Sequence, residues 1–168
     1  MKGLLNRWHR RPSGLWESFP IGCNVMLVAT DAKTGKVLEV SFAHNLVVTT
    51  GKVLVARMLM EDAGFDTGIT FCEVGTGTNA PALSDTALQT STKRNAITST
   101  LRTSNVVQFR TFYAAADITA NLKEIGLFGH STASATQGTG ELFNRAAISF
   151  DNTAGSKDLT VVVQITFG

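Results

Sequence analysis

The chain has 168 residues, the length of one domain or of one domain with an appendage. Hydrophobic residues make up 43% of it, which excludes an intrinsically disordered chain. Charged residues make up only 17%, against about 25% in a typical soluble domain. A surface this poor in charge tends to associate, so the composition favours a protein that assembles into something larger.

The first 22 residues differ from the rest in charge and composition. Residues 1–16 contain four basic residues and no acidic one, although the net charge of the whole chain is only +2. Pro12, Gly14, Pro20 and Gly22 interrupt any regular element, and both tryptophans of the chain lie here. We predict an extended docking arm over residues 1–22 whose aromatic and basic side chains bind a partner, namely Arg7, Trp8, Arg10, Arg11, Trp16 and Phe19. Packing of the arm back on its own domain is the alternative.

A strand pattern begins after the arm. Residues 25–30 form a short apolar run, and residues 37–44 alternate, with Leu38, Val40 and Phe42 on one face. The intervening DAKTG has Asp and Gly at turn positions. This pattern predicts a β-hairpin.

One helix interrupts the strands. Thr49 or Thr50 can cap it, apolar residues recur through 51–62, and Gly64 is placed to end it. The apolar positions surround almost the whole helix axis. We therefore expect a helix that is covered on more than one side, either inside the domain or by a neighbouring subunit.

The rest of the sequence returns to strands. The predicted strands are 69–74, 94–103, 106–114, 122–128, 141–150 and 159–167. The last one is the clearest, because apolar residues alternate over nine positions. Short strands in succession, with a single helix at about 50–63, predict a mainly β domain over residues 23–168 that is an antiparallel β-sandwich.

Three polar segments between strands are interpreted as structural. The GTGTNA run at 75–80 matches a variant of the dinucleotide fingerprint, but Pro81 follows it and no crossover helix does, so we expect a tight connection whose glycines tolerate positive φ. The SDTAL run at 84–88 begins with a helix cap and predicts a single helical turn. The DNTAG run at 151–155 lacks the alternating acids of a calcium loop and predicts an Asx turn.

The candidate metal ligands are scattered. Cys23 and Cys72 lie far apart in apolar runs, which predicts buried free thiols. His9, His44 and His130 have no ligand partner at a suitable spacing. We therefore expect no metal and no cofactor.

No catalytic pattern is present in the sequence. It contains no Gly-x-Ser-x-Gly motif, and the one imaginable glycosidase pair, Glu124 and Glu141, is placed near strand edges without aromatic residues for a sugar subsite. The prediction is a protein that is not an enzyme and that has no small-molecule substrate.

Nucleic acids and membranes are also poor candidate partners. The basic run at 7–11 is short and has no second basic patch to support it. No apolar stretch approaches the ~18 residues of a membrane span, and the N-terminus lacks the apolar core of a secretory signal. We expect a protein that is made in a cytoplasm.

Five phrases in order resemble structural proteins of tailed bacteriophages, in particular small fibre-like, baseplate or neck-associated modules. They are FCEVGTGTNAP at 71–81, SDTAL at 84–88, KEIGLF at 123–128, GELFNRA at 140–146 and the closing strand at 158–167. The resemblance covers about residues 37–168 and leaves out the arm. It implies a non-enzymatic virion component, commonly oligomeric, and transfers no catalytic residues.

The predicted function is therefore that of a structural component of a phage particle, associated with the tail, neck or fibre. The host bacterial cytoplasm would be its place of synthesis and the virion its location. Its expected partners are copies of itself and other virion proteins bound through the arm. Two alternatives remain, a capsid decoration (cement) protein and a carbohydrate- or receptor-binding β-sandwich module.

Overall fold

The computed structural model describes residues 20–168, which form nine strands and one α-helix. The strands are β1 (Ile21–Asp31), β2 (Val37–Val47), β3 (Ile69–Gly75), β4 (Ser91–Ala96), β5 (Ser99–Thr103), β6 (Val106–Tyr113), β7 (Asn121–Gly129), β8 (Glu141–Asp151) and β9 (Lys157–Phe167). The α-helix, α1, is Thr49–Leu59, and a short 3-10 helix covers Ala115–Asp117. Because β1 begins at Ile21, the last two residues assigned to the arm belong to the sheet.

All nine strands pair antiparallel in one sheet with the order β4-β3-β7-β8-β2-β1-β9-β6-β5. Strand β2 joins the two halves, because residues Val37 to His44 pair with β1 whereas Asn45 to Val47 pair with β8. The prediction of a mainly β, antiparallel fold with one α-helix is confirmed. The nine strands form a single curled sheet, and a sandwich is not confirmed.

The predicted strand over 94–103 is two strands that lie at opposite ends of this sheet. Between β4 and β5, the Ile97 N–H donates to the Thr70 carbonyl (2.9 Å) and the Thr98 N–H donates to the Arg110 carbonyl of β6 (2.7 Å). Two consecutive residues thus bond to strands near opposite ends of the sheet, β3 and β6. The prediction of one continuous strand was wrong because alternation of side chains does not report which neighbour a backbone pairs with.

The curled sheet closes around one core. On β9 the alternation predicted from the sequence is confirmed, since Leu159, Val161, Val163 and Ile165 are all buried. Matching positions of β1, β7 and β8 complete the core, including Val25, Leu27, Leu122, Ile125, Leu127, Phe143, Ile148 and Phe150. Each large apolar side chain buried in this way contributes roughly 1.5–3 kcal/mol to folding.

The predicted hairpin and turns are confirmed. Strands β1 and β2 pair antiparallel across the DAKTG turn, in which the Asp31 carboxylate accepts the Thr34 N–H (2.8 Å) and Gly35 has a φ of 70°. At 151–155 the Asp151 carboxylate accepts the Thr153 N–H (3.0 Å), which is an Asx turn.

Helix α1 is shorter than the predicted 51–62. It begins at Thr49 and ends at Leu59, and Val48 is its N-cap, so the expectation that Thr49 or Thr50 caps it was wrong; the Thr50 hydroxyl instead donates to the Leu142 carbonyl (2.7 Å). The left-handed residue that follows the helix is Glu61 (φ 53°), so the expectation that Gly64 ends the helix was also wrong, although Gly64 (φ 84°) reverses the chain further on.

The helix is also less covered than expected within residues 20–168. Gly51 and Leu54 are its buried residues, and Gly51 lies so close to β8 that a Cβ there would overlap the Phe143 carbonyl oxygen. On its other sides Val53 and Leu59 are 49% and 82% exposed. The helix therefore packs against the sheet by one narrow face. That a neighbouring subunit covers its exposed sides remains a prediction.

Candidate functional site

The interior of the sheet contains a buried ion pair between neighbouring strands. Glu124 of β7 and Arg145 of β8 are 1% and 3% exposed. The guanidinium donates from Nη2 and Nε to the same Glu124 oxygen, Oε2, at 2.7 and 2.9 Å. Charges this deep persist only when they are paired and hydrogen-bonded, so each of the two residues depends on the other.

The same carboxylate fixes the long loop between β3 and β4, residues 76–90. Three backbone N–H groups of that loop donate to Glu124, those of Gly77 (3.0 Å), Gln89 (2.9 Å) and Thr90 (2.7 Å). From the other side, Arg145 donates to the Asn79 carbonyl oxygen (3.1 Å). One ion pair therefore holds both ends of the loop against the sheet.

The glycines of the GTG run serve this close approach. A Cβ on Gly75 would lie 2.8 Å from Glu124 Oε1, and a Cβ on Gly77 would lie closer still to the same oxygen. Neither glycine is among the residues with positive φ. The tolerance of glycine for positive φ is therefore not used at these two positions. The reason for glycine here is lack of space, because a Cβ would meet the Glu124 carboxylate and also the Thr90 carbonyl oxygen at Gly75 or the Gln89 side chain at Gly77.

The SDTAL run does not form the expected helical turn. Its Asp85 instead accepts the Ala82 N–H (2.9 Å) and the Arg145 Nη1–H (2.7 Å). Partial burial alone would raise the pKa of Asp85, but these two donors outweigh it and hold the pKa below the ordinary 3.8. The run thus supplies a partner for the buried arginine instead of a turn of helix.

A second buried pair supports the edge strand β4. Arg94 Nη1 lies 2.9 Å from the Glu73 carboxylate, and Arg94 Nη2 donates to the Thr139 carbonyl (2.7 Å). The guanidinium also lies over the ring of Phe128, 4.3 Å from its centroid. Arg94 therefore connects β4, β3 and the loop before β8.

These interior groups are not placed for chemistry on a substrate. Glu124 is not near a strand edge as expected, because it lies inside β7, and both of its oxygens accept hydrogen bonds from the protein itself. Cys23 and Cys72 are free and buried, as predicted, and burial raises their pKa to about 11 and about 12. A thiol with so high a pKa is protonated at neutral pH and is a poor nucleophile.

Within residues 20–168 no group of three or more His, Cys, Asp or Glu side chains is arranged to hold a metal ion. That part of the chain also contains no helix long and apolar enough to cross a membrane.

Strand β2 has an unusual feature, since half of it has a free edge among the strands of residues 20–168. Residues Val37 to His44 pair with β1 on one side, and β8 joins the other side only from Asn45. Exposed edges of this kind are normally protected by Lys, Pro or a covering element. Between Val37 and His44 there is no Lys or Pro, and Glu39 is the one charged residue.

The side chains beside this edge are apolar and exposed. Phe42 is 75% exposed, and Val40 and Leu38 are 48% and 49% exposed. The register places Met26 opposite Phe42 and Val28 opposite Val40, so the apolar surface continues onto β1. We call Leu38, Val40, Phe42, Met26 and Val28 together the edge patch. A free edge beside an apolar patch is a surface suited to pairing with another chain.

The residues predicted to bind a partner lie elsewhere in the sequence. Arg7, Trp8, Arg10, Arg11, Trp16 and Phe19 all fall outside the described residues. The chain reaches the sheet at Pro20, whose carbonyl accepts the Gly168 N–H (2.9 Å).

Comparisons of this chain with protein-family models, with curated proteins and with solved structures find no match. The candidate site is therefore argued from the chain's own geometry. That geometry combines a fixed interior with an apolar strand edge, and the edge patch is the part of residues 20–168 best suited to bind another molecule.

Sequence reasoning missed both the ion network and the exposure of β2. Period-two alternation placed Leu38, Val40 and Phe42 on one face but gave no sign of whether that face is covered. Glu124 and Arg145 lie inside apolar strand patterns. They could have indicated a buried ion pair, since charges at such positions are stable only when paired.

We expect Glu124→Gln to lower the free energy of unfolding by about 3–5 kcal/mol, because it leaves a buried guanidinium without its main counter-charge. Urea unfolding followed by circular dichroism measures the change. The matched control is Asp117→Asn, which breaks the exposed Lys93–Asp117 pair (3.2 Å) and should cost less than about 1 kcal/mol. Equal losses in the two variants would contradict the assigned role.

The lowered pKa of Asp85 predicts a stability contribution that depends on pH. The contribution is complete well above 3.8, the ordinary pKa, and it is lost as the pH falls through the lower pKa of the folded state. Urea unfolding of the native chain and of Asp85→Asn should therefore differ at neutral pH and converge in acid. A difference that stayed constant into strong acid would contradict this assignment.

Proposed function

We propose that this protein is a non-enzymatic structural component of a phage particle, associated with its tail, neck or fibre. In this proposal it assembles with copies of itself and attaches to other virion proteins through its N-terminal arm, residues 1–22. The curled sheet would act as a rigid scaffold, sandwich-like in that its two halves share one core. The observation that carries the proposal is the free, apolar edge of β2.

The arrangement of the interior supports a scaffold. Glu124 and Arg145 hold the 76–90 loop, and Arg94 holds β4, so most of the interior charges are used to fix the backbone. Such networks cost desolvation energy and are a known means of specifying a unique structure. A component that must fit its neighbours in a particle needs a surface of fixed shape.

The β2 edge supports self-assembly. If two copies pair their β2 edges antiparallel about Val40, Leu38 of each lies opposite Phe42 of the other, on the same face of the extended sheet. Glu39 then faces Ser41, so no like charges meet. The edge is thus compatible with a symmetric, self-complementary interface.

The arm supports attachment to a different partner. It holds both tryptophans and four basic residues, and Trp and Arg are the residues that most often dominate binding energy at interfaces. A protein groove of opposite charge is the kind of surface that such a segment fits.

We expect Val40→Lys to weaken self-association by about tenfold or more, because two lysines would face each other at the centre of the paired edges. Light scattering during size-exclusion chromatography, over a range of concentrations, measures the change in mass. Val53→Lys on α1 is the matched control, since Val53 is 49% exposed against 48% for Val40. A native chain that stays monomeric at high concentration, or equal effects of both variants, would contradict assembly through β2.

Attachment to the particle is tested separately, with a chain that starts at Pro20. We expect the full chain to co-sediment with purified phage particles in a density gradient, and the shortened chain to fold but remain in the soluble fraction. Circular dichroism confirms folding. A shortened chain that joined particles normally would overturn the role of the arm, and a full chain that never joined them would overturn the proposed function. A copy number high enough to cover the capsid would favour the decoration protein instead.

A further inference from the structure

A large apolar groove opens at the end of the curled sheet where β1 begins. It has a volume of about 700 Å³, and α1 forms one wall while β5, β6 and β9 form the other. The lining is apolar except for Arg102 and two threonines, and it includes Leu54, Val55, Met58, Leu59, Val107, Phe109, Ile165 and Phe167. A volume of this size accommodates several large side chains.

The N-terminal segment enters the described structure at the rim of this groove. Ile21 pairs with Phe167 in the β1–β9 register, and Phe167 is one of the lining residues. The adjacent Pro20 is held to the residue that follows β9, because its carbonyl accepts the Gly168 N–H (2.9 Å). Residues 1–19 are therefore tethered directly beside the opening.

The composition of residues 1–19 suits an apolar groove. Besides Met1, they contain six large apolar side chains in two groups, namely Leu4, Leu5 and Trp8, then Leu15, Trp16 and Phe19. Extended, these residues reach roughly 60 Å, whereas the helix that forms one wall is about 16 Å long. The segment is long enough to place either group against the groove.

The charges are complementary as well. Residues 1–19 hold four basic residues and one acidic residue, Glu17. The loop that follows α1 beside the groove holds Glu61, Asp62 and Asp66; Asp62 is paired with Arg57 (2.7 Å), so Glu61 and Asp66 give the loop its net negative charge. The basic segment would therefore lie next to an acidic loop, and the attraction would be sensitive to salt.

We propose that, in the isolated chain, this groove holds the apolar side chains of residues 1–19 of the same molecule. The tether favours the same molecule over a second copy, because it gives the segment a high effective concentration at its own groove. The proposal concerns the chain in solution and does not rest on the phage assignment. Within the proposed function, a partner would have to compete with the groove for the arm.

The two tryptophans give a direct test. Trp8 and Trp16 are the only tryptophans of the chain, so tryptophan fluorescence of the full protein reports on this segment alone. Leu59→Lys and Thr100→Lys place a charge on opposite walls of the groove, at exposed positions where the fold tolerates substitution. Val53→Lys is the control, because Val53 lies on the same helix but does not line the groove.

The native chain should emit at shorter wavelength than the chain unfolded in urea. Both groove variants should shift the emission to longer wavelength and increase quenching by acrylamide, and the control should do neither. In the Val40→Lys background, where pairing of β2 edges is removed, the emission should not change on dilution. Native emission equal to that in urea, or groove variants without a shift, would overturn the proposal. A shift on dilution would also overturn it, in favour of the segment of a second copy.

Discussion

The carboxylate of Glu124 lies in the middle of the curled sheet with almost no exposed surface, and a carboxylate buried so deeply requires the hydrogen-bonding partners that surround it, Arg145 and three backbone N–H groups. This requirement organises the residues around it. Its counter-charge, Arg145, lies on the neighbouring strand, and Gly75 and Gly77 have no room for a side chain. Asp85 of the loop in turn binds Arg145. The shape of the 76–90 loop follows from one buried charge.

The interior and the surface of the molecule differ in how well their polar groups are paired. Inside, ion pairs such as that of Arg94 with Glu73 have fixed geometries and serve the backbone. On the surface, the half of β2 that pairs only with β1 within residues 20–168 exposes backbone hydrogen-bonding groups and apolar side chains. A protein that worked alone would gain from covering such an edge, whereas a protein that joins copies of itself needs it. This contrast is the physical basis for proposing a building block.

The sequence predicted the strands well because alternation is a local property, and β9 shows it over its whole length. It did not predict that the 94–103 segment divides between the two ends of the sheet, because pairing partners are set by tertiary packing. The sequence did not predict the ion network for the same reason. Glu124 and Arg145 are 21 residues apart, and only the pairing of β7 with β8 makes them neighbours.

The ladder between β1 and β9 has a mechanical consequence. Ile21 to Asp31 pair with Phe167 to Lys157 without a register shift, and β2 flanks β1 on its other side. A pull on Pro20 along the strand axis would load all eleven of these residue pairs together, instead of opening them one at a time. Forced unfolding depends on the height of the barrier, which is greatest when many bonds must break at once. A molecule attached to a partner through its first residues would thus bear a pulling force through the β1–β9 ladder, which pairs without a register shift.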